Sequence, residues 1–528
     1  MLKKHRISAY IFFGSALLLG IAGSLHAEVS PELIAKTDAS IDTLRKRSCS
    51  VTFTYNGQPL GDQRVQIIQL HNDFGFGGTF HTVGLNMEDS AMYIDLFPRL
   101  FDWAVPENEM KWPTTDKSPD TIDYSLADRL VDWCIAHDIK VRGHNLFWNE
   151  DLRWLPEWTL GMNPTEFRAA MERRIDSAVT HFKGRVAHWD IVNELIHYPQ
   201  ATHGTPEVTL FDSATADPGI FNWILKRARE IDPVAKFTIN EYAILEALDA
   251  TPETFGIFVD KMNRLLTDTS SFDIVGLEGH FGPSIEQPRY AANLDSVTKA
   301  IPRPIWLTEV DWTVFEDVPD RMEEIMRTAF AHPNVGGLML WSWWEARPWR
   351  SDITSMLADA ICFTTEAGDR WLELRDKWKT KMDTMTDAAG QVAFRGFQGE
   401  YVGVYRVGDK TYSSRFYLEP GTGAKTVTLA VKDSLVTDTV GIRNTHASMP
   451  STTWMHINGR GVRLNGLVMP DEPLFVYTYT VSGRQLSKMP VTDLRRISVA
   501  PAVASGCRVV RVGTESKTLF SGSLMDLK

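Results

Sequence analysis

Short apolar runs separated by longer amphipathic stretches organise the chain from about Phe74 to Ser342. The runs are FGFGGTF (74–80), LFDWAV (100–105), IKVRGHN (139–145), VAHWDIVNE (186–194), KFTINEY (236–242), FDIVGLEGH (272–280), PIWLTEV (304–310) and VGGLMLWS (335–342). Runs with apolar residues at consecutive positions predict strands covered on both faces, as in a parallel sheet. Their starts lie roughly thirty to fifty residues apart, room for a crossover helix each time. One such helix is well marked. Asn163 fits an N-cap, Pro164 the first turn and Glu166 a capping box. Phe167, Met171, Ile175, Val179 and Phe182 repeat at helical spacing, and Gly184 ends the pattern. Eight strand–helix units predict an α/β fold, a (β/α)8 TIM barrel. Ahead of it, CSVTFTYNGQPLGDQRVQIIQL carries a hairpin signal at Asn56-Gly57 and predicts a small cap on the barrel's lower face.

The pattern changes after about Lys381. Sixteen of the seventeen tryptophans lie before that point and only Trp454 after it. The remainder alternates apolar and polar residues between frequent turns and predicts a C-terminal all-β region. The start differs again. Lys3, Lys4 and Arg6 precede an apolar run, Ile7 to Ala22, and Ala27 offers a cleavage point. This predicts a signal peptide, 1–27, rather than an anchor, because the apolar core is short and holds Gly14, Ser15 and Gly20. The expected division is signal peptide 1–27, barrel with hairpin cap 28–385, a β extension packed on the barrel 386–432, and a β module 433–528.

Composition narrows the function. The net charge is −12, and the N-terminal segment supplies three of the positive charges, so the mature chain is more acidic still. A nucleic-acid partner is not expected. No stretch of the mature chain predicts a membrane span. Cys49, Cys134, Cys362 and Cys507 are scattered without metal-ligand spacing, and the chain is no disulfide scaffold, although one bridge would be open to it in an oxidising compartment. Cys134, in LVDWCIAH, reads as a core residue. No metal and no cofactor is expected, and the oligomeric state is left open.

In a barrel, chemistry belongs where strands meet the loops that follow them. Those positions hold Glu107, Asn108, Lys111 and Trp112 after strand two, and His144, Trp148 and Asn149 after strand three. Asn193 and Glu194 end strand four, Asn240, Glu241 and Tyr242 strand five, Glu278 and His280 strand six, and Glu309 and Asp311 strand seven. Trp341, Trp343, Trp344 and Trp349 follow strand eight. Singly, each has a bland reading: a surface amide, a bonded histidine, a core tryptophan. Jointly, two carboxylates on strands four and seven face each other across the barrel mouth, ringed by amides, imidazoles and indoles. Indole faces stack on sugar rings, and cleavage of a glycosidic bond needs one protonated acid and one anion.

The stretches FDWAVPENEMKW, VRGHNLFWNEDLRWLPEW, WDIVNELIH, FTINEYAI, GLEGHFG and IWLTEVDW resemble, in order, the motifs of glycoside hydrolase family 10, mainly endo-β-1,4-xylanases, in its plant-like branch. The resemblance covers roughly residues 45 to 400, including FRGFQGEYVG. It implies a retaining hydrolase of internal β-1,4-xylosidic bonds, acting on xylan or xylo-oligosaccharides by double displacement. It implies Glu194 as acid/base and Glu309 as nucleophile. Glu107, Asn108 and Lys111 would hold the sugar on the non-reducing side of the cut, and His144, Trp148 and Asn193 would surround the sugar being cleaved. His280 would orient the nucleophile, Trp341 would lie under the sugar, and Trp349 would be a second indole. Tyr242 and Glu278 complete the substrate-binding set. Two positions depart from the pattern: Asn149 stands where many members carry His, and Glu278 where many carry Gln.

Two other readings stay open. One is a related barrel hydrolase acting on cellulose or mannan, and the other a non-catalytic carbohydrate-binding barrel, although such barrels usually lose the carboxylates that are intact here. The N-terminal pattern implies a secreted, cell-surface or periplasmic protein. The tail, with YTVSGRQL and CRVVRVGTESKTLFSG, resembles the C-terminal sorting or anchoring modules of some Gram-negative secreted enzymes.

Overall fold

The computed structural model describes residues 29–86, 90–148, 152–197, 219–246, 252–267, 271–282, 287–313 and 317–431, with seven strands further on. The expected signal peptide, Asn149 and the 432/433 division lie outside them. The eight expected runs form the barrel strands: Gly75–Phe80, Trp103–Pro106, Lys140–Gly143, His188–Asn193, Lys236–Glu241, Ile274–Leu277, Ile305–Trp312 and Val335–Leu340. We number them one to eight. Each pairs parallel with the next, and strand eight pairs with strand one, Gly337 opposite Gly75, so the sheet closes. Closure and the surrounding helices bury both faces, and this is why the strands read as unbroken apolar runs. All residues of strands four and seven are buried.

The local signals are realised. Asn163 caps helix Pro164–Phe182 in a full capping box with Glu166, and the five residues at helical spacing are all buried. Gly184 follows with φ +74°, a left-handed turn that suits glycine. Asn56 and Gly57, at φ 48° and 79°, turn the hairpin that pairs Tyr55 with Gln58.

The strands flanking the barrel in sequence form one body. Lys46–Tyr55 pairs with Gln391–Phe397 on one side and with Lys425–Val431 on the other. A second sheet runs Lys381–Met385, Arg64–Asn72, Gly399–Val407, Lys410–Leu418. Val51, Phe53, Ile67, Tyr401, Tyr405 and Leu429 fill the space between the sheets. The cap and the extension, expected as separate pieces divided at 385/386, are thus a single sandwich that already includes Lys381–Met385. Arg45 fastens it to the barrel, donating to the carbonyls of Phe330, His332 and Val335 at 2.7–2.8 Å. Beyond Val431 the described strands form two further antiparallel sheets, as an all-β region requires. Cys49, Cys134 and Cys362 are buried free thiols, Cys134 within the barrel core.

Candidate active site

Strand four explains why polar residues interrupt its apolar run. Asp190 is fully buried and points at strand three. Arg142 reaches it at 2.6 Å through Nη2 and donates to it at 3.0 Å through Nε, while Arg142 Nη1 donates to the Thr308 carbonyl. His144 Nδ1 lies 2.9 Å from Asp190 Oδ2. A buried carboxylate is tolerated when it is paired and hydrogen-bonded in this way. Burial pushes the His144 pKa down, against the pull of Asp190. The neutral ring with its hydrogen on Nδ1 fits both neighbours, leaving Nε2 to face the Asn145 amide at 3.4 Å.

Glu194 follows Asn193 with φ +57°, a conformation that costs a non-glycine residue of order 1 kcal/mol and is kept only where its surroundings enforce it. The Glu194 N–H donates to the Asn240 carbonyl at 2.8 Å. Two residues on, the Ile196 N–H and His197 Nδ1 both meet the Glu241 carboxylate at 2.6 Å. The turn is thereby pinned to the end of strand five. The Glu194 side chain, 7% exposed, accepts from Trp148 Nε1 at 2.9 Å and from the Asn193 amide at 3.3 Å.

Across the mouth, Glu309 is 5% exposed. Asn240 Nδ2 donates to it at 2.9 Å, and His280 Nε2 and His144 Nδ1 each lie 3.8 Å away. Burial alone would push its pKa up. The His280 imidazolium, the His144 ring and the nearby Arg142 charge outweigh burial and bring it down to about 2. Glu309 is therefore an anion at neutral pH.

The group beside it behaves in the opposite way. Glu278 accepts from the same Asn240 nitrogen at 2.9 Å and lies 3.3 Å from His280 Nε2. Burial raises its pKa well above the usual range, and the neighbouring Glu309 and Glu194 raise it further, against the pull of His280. Burial works against a charge on His280, but Asp311 at 2.9 Å from Nδ1, with Glu278 and Glu309, keeps the ring protonated. Asp311 also receives the indole N–H of Trp349 at 2.5 Å, and the Trp349 ring lies 4.9 Å from that of His280. This fixes the register of WSWWEARPW: Trp349, 42% exposed, stands over the mouth, whereas Trp343 and Trp344 are core residues, as is Trp112.

The remaining expected residues assemble beside the pair. Lys111 is buried, donates to Asn108 at 2.9 Å and lies 4.6 Å from the Trp148 ring. Burial lowers its pKa, while Glu309, Glu107 and Glu194 act to keep its charge. Glu107 is held by His81 Nδ1 at 3.0 Å. Trp341, 7% exposed, packs edge-on against His144 with ring centroids 5.0 Å apart. Tyr242 stacks on His197, centroids 3.7 Å apart, at the rim beside strand five.

Three contributors escaped the sequence reading of the site. Asn240, noted only as a strand end, is its central donor, with Asn193 Oδ1 at 2.8 Å as a third partner. Asp190 sits inside the quoted motif, where its charge against an apolar run was the available signal. His81 follows strand one and holds Glu107. Among the described residues, two groups bring carboxylate and imidazole atoms within 4.8 Å of one another: Glu278, His280, Glu309, and His71, Asp138, Glu400. In the first the positive charge is the His280 ring itself. In the second Arg415 already bridges Asp138 and Glu400 at 2.8 and 3.0 Å.

A parallel barrel that gathers paired carboxylates, amides and indoles at one end has the architecture of glycoside hydrolases. The sequence profile of Glycosyl hydrolase family 10 matches residues 69–370, more than half of the chain, and the chain belongs to that family. Among its relatives, the anti-sigma-I factor RsgI6 of Acetivibrio thermocellus is 34% identical over 404 residues, covering 75% of this chain and 50% of that protein. Endo-1,4-beta-xylanase 2 of Arabidopsis thaliana is 29% identical over 388 residues, 72% of this chain and 34% of that one. The chain thus spans half or less of the length of these relatives. Xylanase 10B from Thermotoga petrophila, solved with xylobiose, superposes with a TM-score of 0.50 at 20% identity, over 57% of this chain and 95% of that structure. At that identity the likeness establishes the barrel fold.

Proposed function

We propose that this chain is a retaining endo-β-1,4-xylanase that acts after export from the cytoplasm. The observation that carries the reading is the contrast between the two carboxylates. Glu309 is an anion pinned by Asn240 at 2.9 Å. Glu194, on the opposite strand end, is held by a neutral indole N–H and an amide. One group is prepared to attack and the other to carry a proton.

In the first step Glu309 forms a bond to the anomeric carbon while Glu194 gives its proton to the glycosidic oxygen, and the leaving chain departs as an alcohol. In the second step Glu194 takes a proton from water, the hydroxyl oxygen bonds to the anomeric carbon, and the bond to Glu309 breaks. Two displacements retain the configuration. Asn193, locked by Asn240 and facing Glu194, bonds the 2-hydroxyl. Trp341 and Trp349 bracket the sugar, with Glu107, Asn108 and Lys111 on its non-reducing side. The kinship with the Arabidopsis endo-1,4-beta-xylanase supports xylan as the substrate, and the N-terminal pattern supports export.

The test sets xylan, cellulose and mannan side by side, with the anomer released first read by NMR. Xylo-oligosaccharides released first as the β-anomer are expected. Faster release from cellulose or mannan, or a first product of inverted configuration, rejects the reading.

A further inference from the structure

The hydrogens around Asn240 do not suffice for the oxygens that face it. Its Nδ2 carries two hydrogens and has three acceptors within 2.9 Å: Asn193 Oδ1, Glu278 Oε1 and Glu309 Oε1. Its own carbonyl oxygen is already occupied by the Thr308 hydroxyl. On the far side of the same two carboxyl groups, the single hydrogen of His280 Nε2 faces Glu278 Oε2 at 3.3 Å and Glu309 Oε2 at 3.8 Å. Both carboxyl groups are buried, at 2% and 5% exposure, so water does not fill the gap freely.

We infer that Glu278 is a positioning residue that works as a neutral carboxyl group, its protonation leaving the two Asn240 hydrogens to Asn193 and Glu309, and that loss of this proton sets the upper pH limit of the reaction. The inference rests on reading Glu309 as the nucleophile. With Glu278 protonated, Asn240 spends its two hydrogens on Asn193 and Glu309, and His280 charge-pairs with Glu309 and Asp311. Asn193 and Glu309 then each have one orientation. With Glu278 ionised, a second buried anion competes with Glu309 for both Asn240 and His280, and the nucleophile loses its fixed donors.

The charged groups facing Glu278 support the neutral form. Strand seven brings Glu309 and Asp311, the end of strand four brings Glu194, and Glu246 binds the backbone N–H groups of Gly279 and His280 at 3.0 and 2.7 Å. On the positive side stand His280, already bonded to Asp311, and Arg142, already engaged by Asp190. Lys111 lies across the mouth among Glu107, Glu194 and Glu309. Burial, Glu309 and Glu194 all raise the Glu278 pKa. A raised pKa favours the neutral form and defers ionisation to higher pH.

The experiment is the pH profile of kcat/KM on soluble xylan for the parent and for Glu278→Gln, each scaled to its own maximum. A carboxamide stays neutral at every pH, so the upper limb of the variant is expected to move up by about one pH unit or more. If Glu278 were instead an anion that merely raised the Glu194 pKa, removing it would move that limb down. A downward shift or an unmoved limb overturns the inference. Should Glu278→Gln not fold, Glu278→Asp decides: a carboxyl drawn back from Glu309 and Glu194 ionises earlier, the limb moves down, and an unmoved limb overturns the inference. If the parent cleaves no xylan, the reading of the site fails by itself. The infrared difference between the parent and Glu278→Gln at neutral pH then tests the proton directly, and absence of a buried carboxylic-acid band overturns it.

Discussion

The Glu241 carboxylate accepts the backbone N–H of Ile196 at 2.6 Å, and this bond fixes the turn on which Glu194 stands. The same carboxylate takes His197 Nδ1 at 2.6 Å and the Tyr242 N–H at 3.0 Å, so strand five holds the turn of Glu194, the proposed acid/base. Glu241→Gln leaves one of these donors facing an amide hydrogen, a mismatch worth about 1–3 kcal/mol. We expect kcat on xylan to fall by about tenfold to a hundredfold with little change in KM. Aryl xylosides with good leaving groups, which need no proton from Glu194, are spared. An equal loss on all leaving groups at an unchanged melting temperature would show that Glu241 serves the fold and not the acid.

Replacing the two carboxylates should separate their roles. Glu194→Ala removes general-acid assistance, about 10²–10⁴-fold on xylan, and far less on activated aryl xylosides. Glu309→Ala removes the nucleophile for every substrate, and azide restores cleavage with the inverted product. Identical behaviour of the two variants across leaving groups and azide would contradict the assignment.

How far the sequence disclosed this arrangement depends on the range of the interactions. The eight strands were legible because burial on both faces leaves an apolar run, and helix Pro164–Phe182 because its capping box lies within four residues. The sandwich was not, because its registers join distant segments: Cys49 pairs with Phe394 and Gln66 with Asp383, and neither segment alone signals its partner. Glu194 and Glu309 stood out as charges at the ends of apolar strands. Asn240 did not, since a strand-end amide ordinarily reads as surface. Its importance arises only when closure brings the ends of strands four, five, six and seven around one nitrogen. His81 carries no such signal because the run defining strand one stops at Phe80.

The sandwich meets the barrel through a titratable group. His71, on the sandwich strand Arg64–Asn72, places Nδ1 3.2 Å from Asp102 and Nε2 3.3 Å from Asp138. Burial opposes its charge, but the two carboxylates outweigh burial and raise its pKa to about 9. A histidine with a raised folded pKa contributes stability fully below its unfolded value of about 6.5, and that contribution is lost as the pH climbs through about 9. His71→Phe should therefore destabilise the protein by about 1–3 kcal/mol near pH 6, reduced from the full linkage value because Asp138 is half-exposed. The difference should vanish by about pH 10. Thermal melts of parent and variant across that range check it, and a gap that persists unchanged at pH 10 would assign the loss to packing.

The last strand of the sandwich marks where the barrel's support ends. Lys425–Val431 pairs along Lys46–Tyr55 from Cys49↔Lys425 to Tyr55↔Val431, and Leu429 is buried in the sandwich core. Among the described residues, no strand beyond Val431 pairs with the sandwich or the barrel, and none of the strand-end groups lies there. A chain ending at Val431 should keep its turnover on soluble xylan. One ending at Gly423 strips the parallel strand from Lys46–Tyr55 and leaves Phe53 without Leu429, so it should melt earlier, because Arg45 at the root of that sheet fastens the sandwich to the barrel. The decisive quantity is kcat at matched folded concentration. A loss of tenfold or more in the chain ending at Val431, about 1.4 kcal/mol in the barrier, would mean that the later strands shape the mouth of the barrel. An unchanged kcat leaves those strands a task away from the chemistry, to be read in export, surface attachment or binding to insoluble material.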